Sequence, residues 1–315
     1  MSNVQVDFFS KIKDHIPEFE NLAQCVADAL QISQNEAYKK IKGLSQLSIS
    51  QIETLSNVFK VPFHYAGSGD HTVSFTYSKI ANLGEYLNSL SQDLSLIKQA
   101  KKKSLTVITD DIPVFYLFKY AELAAFKLLF WQSSITDNSP SFSFDTIDQT
   151  LLGKCTELNQ IYLQIPTVEI WGKNAVDYTV EQIRYTWEAG ILTDRNFLIT
   201  IINQLKDCFQ DVSAYAKSGR KSIDDTHTFD WYSCDVIGSM SFIADVNSQL
   251  TCYNRFSAFN VLKTNDVDYC QVMKEWSQRL INKSTCFSKQ SEKYRNKYLL
   301  RGVEKCADLL KEIET

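Results

Sequence analysis

Two adjoining stretches determine the fold of the N-terminal part of this chain: residues 26–43 read VADALQISQNEAYKKIKG, and residues 47–61 read LSISQIETLSNVFKV. Ser33 and Ser48 each stand where a helix N-cap is expected, and a Glu or Gln follows three residues later, as in a capping box. Gly43 is suited to ending a helix. The pattern therefore predicts a short turn before Ser33, a helix from there to Gly43, and another helix after Ser48.

This order of elements resembles the Cro/lambda-repressor (XRE-type) helix-turn-helix, whose pattern runs LAxxLxIS, a recognition helix, a Gly-bearing loop and an LxxLxxxLxV helix. The resemblance extends over residues 22–61. It implies a lambda-repressor-like helical bundle that binds double-stranded DNA. A bundle of the same shape without any ligand is the alternative, since a fold does not by itself define a function.

The resemblance identifies the second helix of the pair as the one that enters the major groove, with its first residues against the base edges. Gln34 and Asn35 are its first exposed side chains, and each amide can form two hydrogen bonds with adenine. Lys39 lies on the same face and is predicted to reach guanine or a phosphate. Three further side chains are predicted to contact the sugar–phosphate backbone: Tyr38, Lys40 and Lys42.

The charge of this segment is modest for a DNA-binding domain. Residues 1–66 contain six lysines, no arginine and seven acidic residues, so their net charge is −1, and the whole chain carries −4. Half of these lysines cluster at residues 39–42, which supplies the local basic patch that phosphate contacts need. Because one such domain should bind DNA only moderately, we expect a homodimer that reads two half-sites.

An apolar stripe with a heptad register follows the N-terminal segment. Its members are spaced 3, 4, 3, 4 and 3 residues apart: Ile80, Leu83, Leu87, Leu90, Leu94 and Ile97. Such a register is typical of a coiled-coil seam, which makes this stripe the predicted dimerisation surface. The alternative is a helix that packs inside its own chain, and Tyr86 and Leu96 supply apolar surface off the seam. The sequence leaves both interpretations open.

The expected fold class is mainly α, with a helix-turn-helix DNA-binding domain at residues 1–66, a linker at 67–79, and a larger helical dimerisation or sensor domain at 80–315. Within the last domain we expect a short three-stranded antiparallel β meander at about residues 230–257. Its strands are predicted at 231–237, 240–246 and 250–256. Helices are predicted at 114–131, 145–164, 174–189, 194–217, 266–282 and 289–313, the last capped by Ser288.

The C-terminal part contains three sequence segments that carry a further resemblance. Residues 110–131 (DDIPVFYLFKYAELAAFKLLFW), 185–191 (YTWEAGI) and 282–298 (NKSTCFSKQSEKYRNKY) resemble the C-terminal part of a family of Bacteroidetes helix-turn-helix proteins. That family implies transcription regulation without an assigned ligand. Ser288 and Arg295 belong to a polar cluster at a helix start that could hold an anion, although capping explains it more simply.

Residues 112–131 form the one stretch that suggests a membrane span. It is interrupted by three charged residues, Lys119, Glu122 and Lys127. Because charged residues in mid-span are costly, we expect a buried core helix and no membrane association.

The eight cysteines contain no C-x-x-C pair and have no neighbouring histidine ligands. They favour free thiols in a reducing cytoplasm, with no metal site.

Catalytic motifs are missing from the sequence. The four histidines are isolated, and there is neither a G-x-G-x-x-G nor a Walker loop. We therefore expect a transcriptional regulator, neither an enzyme nor a cofactor-binding protein. Whether the C-terminal domain senses a small-molecule or protein effector is left open. The alternative is a non-catalytic protein-interaction module that carries a vestigial helix-turn-helix.

Overall fold

The computed structural model describes residues 4–13, 16–17, 21–61, 63, 72–133, 142–221, 228–235, 240–257, 260–289 and 291–314. Contacts divide the chain into two compact units, Met1–Ser74 (unit 1) and Phe75–Thr315 (unit 2). Residues 67–71 of the predicted linker lie outside the described residues. Its last part belongs to unit 2, because Thr76 forms a β-bridge with Lys263.

Unit 1 is helical in its described part. Its helices are α1 (Val4–Lys13), α2 (Leu22–Leu30), α3 (Gln34–Ile41) and α4 (Ile49–Phe59). Each helix turns an apolar stripe towards one shared core, which helices of this length need because isolated short helices are barely stable in water. The buried members of that core are Phe8, Phe9, Ile12, Val26, Ala27, Ala37, Leu55 and Val61.

Unit 2 combines helices with a sheet. Its helices are α5 (Leu83–Gln99), α6 (Val114–Leu117), α7 (Ala121–Ser133), α8 (Gln149–Leu163), α9 (Ala175–Glu188), α10 (Arg195–Ser218), α11 (Val267–Asn282) and α12 (Glu292–Glu314), with a 3-10 turn at Phe144–Thr146. Its strands are β1 (Lys103–Thr109), β2 (Thr167–Gly172), β3 (Phe229–Cys234), β4 (Ser241–Val246), β5 (Gln249–Arg255), β6 (Val261–Thr264) and β7 (Thr285–Cys286).

The described strands form one seven-stranded mixed sheet in the order β6-β5-β4-β1-β2-β3-β7. β1, β2 and β3 are parallel, whereas every other neighbouring pair is antiparallel. The expectation of a mainly α fold with a three-stranded meander is therefore wrong. β4 and β5 do form a hairpin. β3, however, pairs with β2 and β7, and it is separated from β4 in the sheet by β1 and β2.

Four strands, β1, β2, β6 and β7, were not predicted from the sequence, and two of them, β1 and β2, are largely buried. In β1, Leu105 and Val107 pack into the large core, while Ile108 packs on the opposite face. A strand that is apolar on both sides lacks the polar–apolar alternation by which an amphipathic strand is found. β2 is short, and its polar residues Thr167 and Glu169 are buried as well as Ile170 and Trp171, so it has no exposed polar face by which an amphipathic strand could be predicted.

Helices cover the two faces of the sheet unequally. The large core on one face takes side chains from α5, α7, α8, α9, α10 and α12. On the other face, α11 contributes Leu280 to a cluster with Ile108 and Ile170, and Cys270 to a second cluster with Ile243. Unit 2 is thus a layered α/β structure, in which the sheet separates one thick helical layer from a single described helix.

The stretch at 112–131 divides into α6 and α7 and lies in the core. Lys127 is fully buried, and its ammonium donates to Asp111 Oδ2 at 2.8 Å, Thr179 Oγ1 at 3.0 Å and Gln182 Oε1 at 2.8 Å. Burial lowers the pKa of Lys127, and the neighbouring Asp111 carboxylate opposes that shift. Within the described part of the chain, no helix has both the length and the apolar character needed to cross a membrane.

The start of the last helix differs from the prediction. α12 begins at Glu292, so Ser288 is not its N-cap. Ser288 instead accepts a hydrogen bond from Trp231 N at 2.7 Å and donates to Phe229 O at 3.3 Å, which ties the segment before α12 to strand β3. A pattern of polar residues identified the region but could not distinguish a cap from a bond to a distant strand.

Candidate nucleic-acid interface

The connection between α2 and α3 is a turn of three residues. Gln31 adopts a left-handed conformation with φ of 54°, and Ile32 N donates to Ala27 O at 3.0 Å, which closes the end of α2. Ser33 is extended, and its hydroxyl accepts from Glu36 N at 3.2 Å. The turn and the cap together fix the direction in which α3 leaves.

The exposed face of α3 carries most of the predicted contact residues. Ala37 is buried in the unit 1 core, so the helix turns its other side to solvent. Tyr38 is 52% exposed, and Lys42 lies one turn further on with its ammonium 5.8 Å from the centre of the Tyr38 ring. The structure thus gathers five exposed polar side chains at the surface of this helix, and we call them the α3 face: Gln34, Asn35, Tyr38, Lys39 and Lys42.

Lys40 departs from the expectation of a phosphate contact. Its side chain is only 6% exposed, and its ammonium donates to Gln46 O at 2.8 Å. The reason is helical geometry, because Lys40 follows Ala37 by three residues and shares its inward side. Lys40 therefore braces the loop after α3, and we do not include it among the candidate DNA contacts.

A glutamine on α1 braces the same loop. Gln5 Nε2 donates to Lys40 O at 2.6 Å and to Ser45 O at 2.7 Å, and its Oε1 accepts from Leu47 N at 2.9 Å. These bonds connect α1 to backbone groups at the end of α3 and at the approach to α4, where helical hydrogen bonding stops. The loop after α3 is thus held by side chains from two helices.

A groove beside the α3 face contains a candidate site residue, Lys13, that sequence reasoning missed. It has a volume of about 380 Å³, and Lys13 on α1 and Lys42 both line it. Asn21, the N-cap of α2, also lines the groove, so the positive end of that helix lies close by. Two exposed ammonium groups and a helix N-terminus suit a phosphate group. No sequence pattern identifies Lys13, because its position depends on how α1 packs against α2 and α3.

Known proteins offer no guide to this surface. No protein-family model, curated protein or solved structure matches the chain.

The predicted dimer seam lies inside unit 2. Its six residues all belong to or pack against the large core: Leu83, Leu87, Leu94 and Ile97 are buried, and Ile80 and Leu90 are partly buried. Tyr86, off the seam, is buried as well, whereas Leu96 is 63% exposed. This is the internal packing that the sequence left as the alternative, because the six residues of the stripe pack mainly against their own chain.

The polar cluster before α12 is used within the chain. Arg295 is 1% exposed, and its Nη1 donates to Phe287 O at 2.8 Å. Because Ser288 is bonded to strand β3, two members of the cluster hold the local backbone in place.

The eight cysteines are free, six of them buried, and no group of histidine, cysteine or acidic side chains in the described residues is arranged to hold a metal ion.

Proposed function

We propose that the chain is a DNA-binding transcriptional regulator whose α3 enters the major groove. The observation that carries this proposal is the α3 face, in which two amides stand at the first two positions of a capped helix and two lysines follow on the same exposed surface. Amides at the start of the inserted helix are placed to read adenine, and Lys39 is placed to read guanine or hold a phosphate.

Contacts to the DNA backbone would come from the groove beside the α3 face. Lys13 and Lys42 line it together with the α2 N-cap Asn21, and these groups can position a phosphate without reading sequence. Their charge offsets the acidic residues elsewhere in unit 1, whose net charge over residues 1–66 is −1. Binding should accordingly be moderate for one copy and strongly dependent on salt.

A second copy is part of the proposal. Two helix-turn-helix domains on half-sites about one helical turn apart would gain affinity by linkage, and such sites appear as inverted repeats. Because the heptad seam of α5 packs within its own chain, the contact between copies would use another surface. Light scattering of the protein alone and with duplex DNA measures this stoichiometry directly.

The experiment that tests the proposal is selection of bound duplexes from a random pool by the purified full-length chain. We expect enrichment of one consensus, arranged as an inverted repeat. A pool that stays random after several rounds, at low salt as well as at 150 mM (about physiological ionic strength), would reject DNA reading. That outcome would favour the protein-interaction module, in which the α3 face is simply a solvated helix surface.

A further inference from the structure

Unit 2 contains a small apolar pocket whose wall includes one charged group without a carboxylate partner. The pocket has a volume of about 100 Å³ and lies among α5, α7 and the β4–β5 hairpin. Most of its wall is aromatic or aliphatic: Tyr86, Leu90, Phe115, Trp131, Phe242 and Val261. A concave, mostly apolar space with a few polar groups is the usual form of a small-molecule site.

Arg255, at the end of β5, is the cation that lines this pocket in the described part of the chain. Its Nε donates to Ser257 O at 2.8 Å, its Nη1 contacts Met240 Sδ at 3.3 Å, and its guanidinium lies 5.7 Å from the centre of the Trp131 ring. None of these contacts, which are all that the described residues give its side chain, is to a carboxylate. A partly buried guanidinium among apolar walls favours an anionic partner.

The acidic residues that line the pocket are already neutralised. Asp93 accepts from Lys263 Nζ at 2.7 Å, and Asp111 accepts from Lys127 Nζ at 2.8 Å. Each carboxylate thus has its own ammonium, and the charge of Arg255 is the one left over among these five groups. Burial raises the pKa of Tyr86, and the positive charge of Arg255 opposes that shift. The charge of Arg255 therefore acts on a side chain that lines the pocket.

We propose that this pocket binds a small monocarboxylate with a compact, branched apolar body. The carboxylate would pair with Arg255, and the body would fill the space between Trp131, Phe242 and Leu90. An apolar cavity of about 150 Å³ accommodates one benzene molecule, so a pocket of 100 Å³ fits a body of roughly four or five carbons. The proposal concerns unit 2 alone and does not depend on whether unit 1 binds DNA.

Three ligands of related shape test the proposal by titration of the full-length chain. Isovalerate carries both the branched body and the charge, isovaleramide keeps the shape without the charge, and acetate keeps the charge without the body. We expect isovalerate to bind saturably and at least tenfold more tightly than either analogue. Equal binding of isovalerate and isovaleramide, or saturation by none of the three at millimolar concentration, would overturn the proposal.

The methionines give a local reporter of where the ligand binds. Met240 lines the pocket, whereas Met273 packs against a cluster on the other face of the sheet. In a sample labelled at the methionine methyl groups, isovalerate should shift the Met240 signal with the same affinity as the titration and leave Met273 unchanged. A shift of Met273 alone, or of neither signal, would place the ligand elsewhere and contradict the proposal.

Two arginine variants complete the test. Arg255→Met keeps an unbranched side chain but removes its charge, so it should abolish the preference for isovalerate over isovaleramide. Arg279→Met is the matched control, because Arg279 is exposed on α11 and pairs only with Glu275 of the same helix in the described residues. If Arg255→Met fails to fold, Arg255→Lys takes its place and should retain the preference. Retention of the preference in Arg255→Met would refute the role of Arg255.

Discussion

The sequence predicts that α3 faces DNA and leaves open whether α5 faces a second copy or its own chain, and the two helices differ in the exposure of the residues concerned. The predicted polar residues of α3 are exposed, except for Lys40. The predicted apolar residues of α5 are enclosed in the core of their own unit. An apolar stripe indicates that a helix face is covered but does not say whether the same chain or another one covers it. A polar face on a capped helix is more readily predicted, because polar side chains are normally exposed to solvent.

The largest expected effect follows from the burial of Leu87 on α5, which is 0% exposed. Leu87→Asp would bury an unpaired carboxylate, so unit 2 should lose more than about 4 kcal/mol of stability. All five tryptophans lie in unit 2, so their fluorescence during denaturation reports this loss. Leu96→Asp, on the exposed side of α5, should change stability by less than about 0.5 kcal/mol. A Leu87→Asp protein that stays folded but halves its mass would instead identify the seam as a dimer interface.

A smaller effect concerns Tyr86, which lies on α5 beside the seam. Burial raises the pKa of Tyr86 to about 12 from its ordinary value of 10.0. Above pH 10 the unfolded chain releases this proton while the folded chain keeps it, so stability is lost as the pH rises from 10 to 12. The loss from this residue is about 2 to 3 kcal/mol. The free energy of unfolding, obtained from denaturation curves at each pH, should therefore fall less steeply from pH 10 to 12 in Tyr86→Phe than in the wild type.

The control for this pH dependence is Tyr178→Phe, since Tyr178 is 53% exposed. Its curve should follow that of the wild type. If the Tyr86→Phe and wild-type curves run parallel from pH 10 to 12, the environment of Tyr86 is less buried than described, and the enclosure of α5 would need revision.

Neighbouring lysines on α3 provide a finer test within one helix. Lys40→Met removes the bond to Gln46 O and should cost unit 1 about 1 to 3 kcal/mol, without changing the DNA affinity of the folded protein. Lys39→Met should leave stability within about 0.5 kcal/mol and weaken DNA binding by about 1 kcal/mol or more. Hydrogen exchange of the unit 1 amides measures the first effect, and duplex titration measures the second. The reverse pattern would mean that the roles of the two lysines are exchanged.

The sequence was informative where structure depends on neighbours along the chain. Ser33 and Ser48 cap α3 and α4 in the structure, because a cap needs only the three residues that follow it. The sheet was missed because β1 pairs with β2 and β4, which lie far along the chain, and because side chains on both of its faces pack into hydrophobic clusters. Arg255 could not be found for the same reason, since its pocket exists only when α5, α7 and the β4–β5 hairpin come together.

The most direct test of the central claim, that the α3 face reads DNA, compares two exposed asparagines of unit 1. Asn35 lies on α3 and Asn57 on α4. The measurement is the ratio of affinities for the selected duplex and a shuffled duplex, determined by fluorescence anisotropy. Asn35→Ala should lower this ratio by a factor that corresponds to about 1 to 3 kcal/mol, and Asn57→Ala should leave it at the wild-type value. An unchanged ratio in Asn35→Ala, or an equal loss in both variants, would contradict the claim.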